Sequence, residues 1–174
     1  MTYEEIQNRM KELGQIDTFG TKKEIKELPN ILREGETIEY LTSGFLNGNT
    51  WLIVCTNKRI LFLDKGMFFG LKQVETPLEK INSIESGQGL IFGNITIWNG
   101  ASAMKIDNIQ KGTIQPMMDA INKSIGALKE NKNNEKLSEI KDPIEQLEKF
   151  ASLRDKGIIT EEEFNAKKAQ ILGL

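Results

Sequence analysis

The sequence predicts an α+β fold: seven antiparallel strands in a barrel or sandwich, a helix that caps it, N-terminal helices ahead of it, and a separate C-terminal helical hairpin. Three observations lead there. From about Thr37 the apolar spacing changes from helical to extended. Asn- and Gly-containing pairs then interrupt the extended region at short intervals. From Ile114 the helical period returns, and it restarts once more after a polar stretch near residue 140.

The first 34 residues carry two short helical patterns. Thr2 with Glu5 three places on forms a capping box ahead of Ile6, Met10 and Leu13, and Gly14 stops the helix. Thr21 with Glu24 repeats the spacing before Ile25, Leu28 and Leu32, with Pro29 ending or bending that helix. Neither stripe is wide enough to stand alone, so the pair either lies against the next domain or forms a loose arm.

The expected strands are Thr37 to Thr42, Trp51 to Thr56, Arg59 to Asp64, Lys72 to Thr76, Ile81 to Glu85, Asn94 to Trp98 and Ser102 to Ile106. Asn47-Gly48-Asn49, Asn57-Lys58, Asp64-Lys65-Gly66 and Asn99-Gly100 fall between them as hairpin turns, because Asn, Asp and Gly tolerate the positive φ of tight turns. Trp51 to Val54 and Ile60 to Leu63 are unbroken apolar runs, the pattern of strands covered on both faces, with the N-terminal helices as one cover.

Next comes the clearest helix, with Ile114, Met117, Met118, Ile121, Ile125 and Leu128 along one face and Pro116 in its first turn. Its apolar face calls for a seat at the open end of the strands. Residues 129–141 are almost wholly polar and read as a linker. Asp142-Pro143 then starts the hairpin as N-cap and first helical residue, followed by Ile144, Leu147, Phe150, Ala151 and Leu153. Gly157 ends that helix, Ile158-Ile159 cross over, and Thr160 with Glu163 caps a second helix bearing Phe164, Ile171 and Leu172. The domains are thus 1–34, 35–128, the linker 129–141, and 142–174.

Composition narrows the functions. Among 174 residues, 23 Lys and Arg against 25 Asp and Glu give a net charge of -2, so no overall positive field gathers nucleic acid. The chain has no His, the usual neutral-pH acid-base and metal-binding side chain, and its single Cys excludes an intrachain disulfide or Cys-cluster zinc site. No secretion signal or membrane-length apolar run is visible, so a cytoplasmic protein is expected.

Seven antiparallel strands followed by one amphipathic helix resemble the pleckstrin-homology (PH) superfold, and more narrowly the bacterial PH-like (YokE-like) domain. Leu52 to Phe62, containing Thr56-Asn57-Lys58-Arg59, resembles that family's hairpin, and Leu78 to Ile84 its following strand. Ile144 to Leu172, above all Leu153 to Phe164, resembles the short C-terminal module SHOCT. The resemblance implies a PH-like barrel with a SHOCT hairpin, a bacterial or prophage source, and a terminal interaction or oligomerisation element.

Gly87 to Gly93 lacks the third glycine and following helix of a dinucleotide fingerprint and reads as a glycine-rich turn or bulge. Cys55 ends an apolar strand with no His to activate it, and Glu161-Glu162-Glu163 complements a helix dipole. The loop Ser43 to Asn49 has no basic residue, which leaves Lys58 and Arg59 as the anion contact for a membrane surface. Phe45-Leu46 and Met67-Phe68-Phe69 are apolar loop residues available to a membrane or partner, or folded back onto the domain.

No catalytic, cofactor or metal site is expected. The expectation is a non-enzymatic scaffold or adaptor that meets a protein partner, above all another copy, through Ile144, Leu147, Phe150, Leu153, Ile158, Phe164, Ile171 and Leu172. A helical hairpin of this size lies below the ~40 residues at which chains need metal, disulfide or partner to fold. The alternative is a peripheral membrane or anionic-lipid binder.

Overall fold

The unbroken apolar strands place side chains on both faces of a sheet, and two covering layers follow from that. The computed structural model describes residues 1–66 and 70–173, and the side chains of all of these except 134–143. Its strands are β1 (Ile38–Leu46), β2 (Asn49–Thr56), β3 (Arg59–Lys65), β4 (Leu71–Pro77), β5 (Ser83–Gln88), β6 (Phe92–Asn99) and β7 (Ser102–Gln110). They form one antiparallel sheet in the order β4-β3-β2-β1-β7-β6-β5. The sheet is not closed, since β4 and β5 stand at its two ends.

Helices α1 (Tyr3–Glu12) and α2 (Lys22–Ile31) precede the sheet, a 3-10 turn (Leu78–Lys80) links β4 to β5, and α3 (Lys111–Asp155) and α4 (Glu161–Leu172) follow it. The chain divides into two compact units, residues 1–128 and 129–174. Helix α3 includes the polar stretch 129–141. The helix also runs through Asp142 and Pro143, so the helix start read at that pair is not present; Met67, Phe68 and Phe69 lie outside the described residues.

Alternation along β2 and β3 divides their side chains between two cores. Ile53, Cys55, Ile60 and Phe62 pack with Ile95, Ile97 and Ile106 and with Ile114, Met117 and Ile121 of α3. Leu52, Val54, Leu61 and Leu63 pack on the opposite face with Ile6 of α1 and Ile25 and Leu28 of α2. Each such side chain contributes about 1.5–3 kcal/mol on burial. The N-terminal helices are therefore a structural layer of the first unit, and the loose-arm alternative is set aside.

Local sequence rules succeed at two helix starts and fail at a third. Thr2 and Glu5 form the reciprocal box on α1, with Glu5 N donating to Thr2 Oγ1 at 3.2 Å and Thr2 N to Glu5 Oε2 at 2.7 Å. Thr160 and Glu163 do the same on α4. Thr21 does not cap α2: its backbone lies at φ -112, ψ 22, outside the extended conformation a cap needs, and its hydroxyl donates to Thr18 O at 3.0 Å. Glu24 instead accepts the Lys65 amide of β3 at 2.7 Å.

The first hairpin is also tighter than expected. Ser43 to Leu46, taken as loop from sequence, belong to β1, and Asn47 and Gly48 alone make the turn with φ of 51° and 85°. Gly44 permits this path, because a Cβ there would overlap Ile106 Cγ2 and lie 3.0 Å from Ile109 Cγ1 and Ile53 Cδ1. Trp51 Nε1 then closes the hairpin by donating to Leu46 O at 3.0 Å.

In the second unit, α3 ends in a Schellman turn: Ile158 N donates to Leu153 O and Gly157 N to Arg154 O, with Gly157 at φ 66.

Candidate functional site

The C-terminal residues proposed as an interaction surface divide into sheltered and exposed sets. Phe164 is buried, with the Arg154 guanidinium carbon 4.6 Å from its ring centroid, and Phe150 has Lys167 Nζ at 6.0 Å from its own. Leu147, Phe150, Leu153 and Ile171 are half-buried. Ile144, Ile158 and Leu172 are exposed, at 52%, 64% and 48%. The hairpin thus closes over one aromatic ring and leaves three aliphatic side chains in water.

The Lys58-Arg59 pair behaves differently from its sequence reading. Lys58 donates to Glu34 O at 3.0 Å and stays at the surface. Arg59 is buried, and its guanidinium is committed to Glu36, Glu75 and the Ile31 carbonyl. It is a structural cation that ties β3 to the end of α2 and to β4, which removes it as an anion contact. The adjacent carboxylates Glu36 and Glu75 were the missing signal, and they are distant in sequence.

Chemistry is sparse elsewhere. Cys55 is fully buried, and burial, aided by the charge on Glu39, pushes its thiol up to about 12. Among the described residues no group of His, Cys, Asp and Glu could hold a metal ion. No helix among them is long and apolar enough to cross a membrane. Of the apolar loop candidates, Phe45 and Leu46 lie in β1, and Leu46 packs on the core.

Two surface features escaped the sequence. The β5–β6 turn, closed by Gly89 N donating to Phe92 O at 2.8 Å, exposes Leu90, Ile91 and Phe92 in succession. The second is a cleft of about 810 Å³ bounded by residues 17–20, the first turn of α2, Asn49 and Thr50 of β2, and Asp64 and Lys65 of β3. Glu24 lines it with its Oε2 buried and without a hydrogen-bond partner. The Thr21/Glu24 spacing has the pattern of a capping box, so the sequence does not single out this carboxylate.

A helix after seven antiparallel strands, seated by Ile114, Met117 and Ile121, is the PH arrangement, and the family model for the bacterial PH domain matches residues 32–123. The chain belongs to the bacterial PH domain family. The model for the short C-terminal domain SHOCT matches residues 145–172.

Solved structures similar to this bacterial PH chain include the pleckstrin homology domain from Shewanella amazonensis SB2B, 18% identical, covering 60% of this chain and 96% of that one at a TM-score of 0.45. A DUF1696 family protein with a pleckstrin-homology domain from Shewanella loihica PV-4 is also 18% identical, covering 59% and 94% at a TM-score of 0.43. No curated protein matches. The bacterial PH match begins at Leu32, so α1, all of α2 and the Glu24 side of the cleft lie outside it.

Proposed function

We propose that this protein is a non-enzymatic cytoplasmic scaffold or adaptor that self-associates through its SHOCT hairpin, with the bacterial PH body as a second interaction surface. The observation that carries this reading is the exposure of Ile158 and Leu172 on a short helical module matched over residues 145–172, with Ile144 exposed directly ahead of it. So short a module buries little apolar surface by itself, and a second copy supplies the cover its exposed side chains lack. The absence of His and the buried thiol of Cys55 leave little for acid-base or nucleophilic catalysis.

Light scattering tests it. The full chain should run at a multiple of its 19.7 kDa mass, and the double variant Ile158→Asp/Leu172→Asp, altered only at exposed positions, should fall to the single-chain mass. A single-chain mass for the unaltered protein overturns the proposal.

A second reading, peripheral membrane contact, draws on the exposed Leu90-Ile91-Phe92 turn, three apolar side chains at one hairpin tip. With Arg59 committed inside the fold, its electrostatic support falls to Lys58 and is weak. Sedimentation with anionic vesicles at low salt decides it: pelleting that Ile91→Asp abolishes supports membrane contact, and no pelleting ends it.

A further inference from the structure

Several polar groups that line the cleft beside α2 have partners within the chain. Asp17 accepts Phe19 N at 3.0 Å and Ser43 Oγ at 2.9 Å. Asp64 accepts Asn49 Nδ2 at 3.1 Å, and Lys65 is paired with Glu27. Glu24 is 3% exposed; its Oε1 takes the neutral Lys65 amide, while its Oε2 is buried without a partner and no ion pair joins it to a cation among the described residues. A carboxylate so placed carries a desolvation cost that a donor, and above all a cationic donor, would offset.

Next to that oxygen is the opposite need. Helix α2 has no side-chain cap, because Thr21 Oγ1 donates to Thr18 O, so its first-turn amides have no acceptor from Thr21, and Lys22, Lys23 and Glu24 of that turn line the cleft. Lys22 is exposed on the same wall. One wall therefore favours an anion and an adjacent buried oxygen favours a cation. The Phe19 ring, 82% exposed, supplies an apolar rim. At about 810 Å³ the cleft has the size of a small-molecule site.

From these groups we infer that the cleft binds a small zwitterion of the α-amino-acid class, its carboxylate on the α2 N-terminus beside Lys22 and its ammonium on Glu24 Oε2. The site is independent of the C-terminal hairpin and is enclosed within residues 1–128. Phe19 favours a ligand with an apolar side chain.

The test is a titration of the full chain followed by backbone amide resonances, with L-alanine, L-phenylalanine, acetate and methylammonium as separate probes. Saturable shifts at Lys22, Lys23, Glu24 and Lys65 are expected with the amino acids below ~10 mM, strongest with L-phenylalanine and much weaker with either single-charge probe. Glu24→Gln, which keeps an oxygen for the Lys65 amide, and the surface change Lys22→Ala should each weaken binding, the former by about tenfold or more. The inference is overturned by the absence of saturable shifts at those amides up to ~10 mM, by acetate or methylammonium alone matching the amino acids, or by unchanged binding in a folded Glu24→Gln variant.

Discussion

Arg59 and Glu36 form a two-pronged ion pair inside the fold, Nε to Oε1 and Nη2 to Oε2 both at 2.8 Å, with the two side chains almost wholly removed from water. Thr56 Oγ1 and the Arg33 amide complete the Glu36 carboxylate, and the Ile31 carbonyl and Glu75 complete the guanidinium. The pair joins the end of α2, the segment entering β1, the β2–β3 turn and β4.

Removing one partner should be severe. Arg59→Ala leaves Glu36 charged, buried and short of its strongest donors, and is expected to cost about 3–5 kcal/mol in urea unfolding. Glu75→Ala, at a carboxylate a third exposed, should cost no more than about 1 kcal/mol. Equal losses in the two variants would contradict the assignment of Arg59 to Glu36.

Acid should act through the same cluster. Burial works to raise the Glu36 carboxyl, and the hydrogen bonds from Arg59, the Arg33 amide and Thr56 more than reverse it, holding it below its ordinary 4.5. Glu75 is lowered too, against a burial effect of the same sign, by Arg33 and Arg59. A depressed folded value stabilises fully above the ordinary carboxylate range, and that contribution is lost as pH falls through the folded value. Thermal unfolding should therefore hold steady from neutrality to about pH 5 and decline below it. In Glu36→Gln, already destabilised, the decline should be shallower.

The Cys55 thiol should be inert. Fully buried and pushed up to about 12, it should resist thiol-modifying reagents at pH 8 in the folded protein and react stoichiometrically in denaturant. Rapid labelling of the native chain would contradict its burial between the sheet and α3.

Two glycines should refuse a methyl group. At Gly93 an added Cβ would overlap the Gly87 carbonyl oxygen, a main-chain atom that no rotamer change moves, as well as Ile114 Cδ1. Gly44→Ala meets three isoleucine side chains. Gly93→Ala should therefore destabilise by about 1–3 kcal/mol or more, and Gly44→Ala by a similar or smaller amount where the isoleucines repack. Urea midpoints of both variants measure this, with Gly126→Ala inside α3, where the added atom meets nothing within 4 Å, as the clash-free reference, expected to gain about 0.5–1 kcal/mol from helix propensity.

Much of the fold was legible because it rests on local chemistry. Asn47 and Gly48 make the β1–β2 turn with both residues at positive φ, and Gly100, also at positive φ, begins the turn between Asn99 and Ser102, since few residues accept such angles. Thr2/Glu5 and Thr160/Glu163 satisfy their own helix ends, and the apolar period from Ile114 to Ile121 needs only a flat surface to bury against. Periodicity also implied two covered faces on β2 and β3, which the cores on either side bear out.

What the sequence could not settle depends on residues far apart along the chain. Thr21 and Glu24 have the spacing of a cap, yet the Lys65 amide, 41 positions away, claims the carboxylate and leaves Oε2 buried without a donor. Arg59 looks like a surface cation until Glu36 and Glu75 close around it. Ser43 to Leu46 look like loop until Gly44 brings β1 against Ile106. The chain by itself made most of its strands, two of its helix caps and its family legible, because these follow from spacing and backbone preference. Only the packed structure decided which charges are free and which are spent, because burial and pairing are properties of neighbours in space.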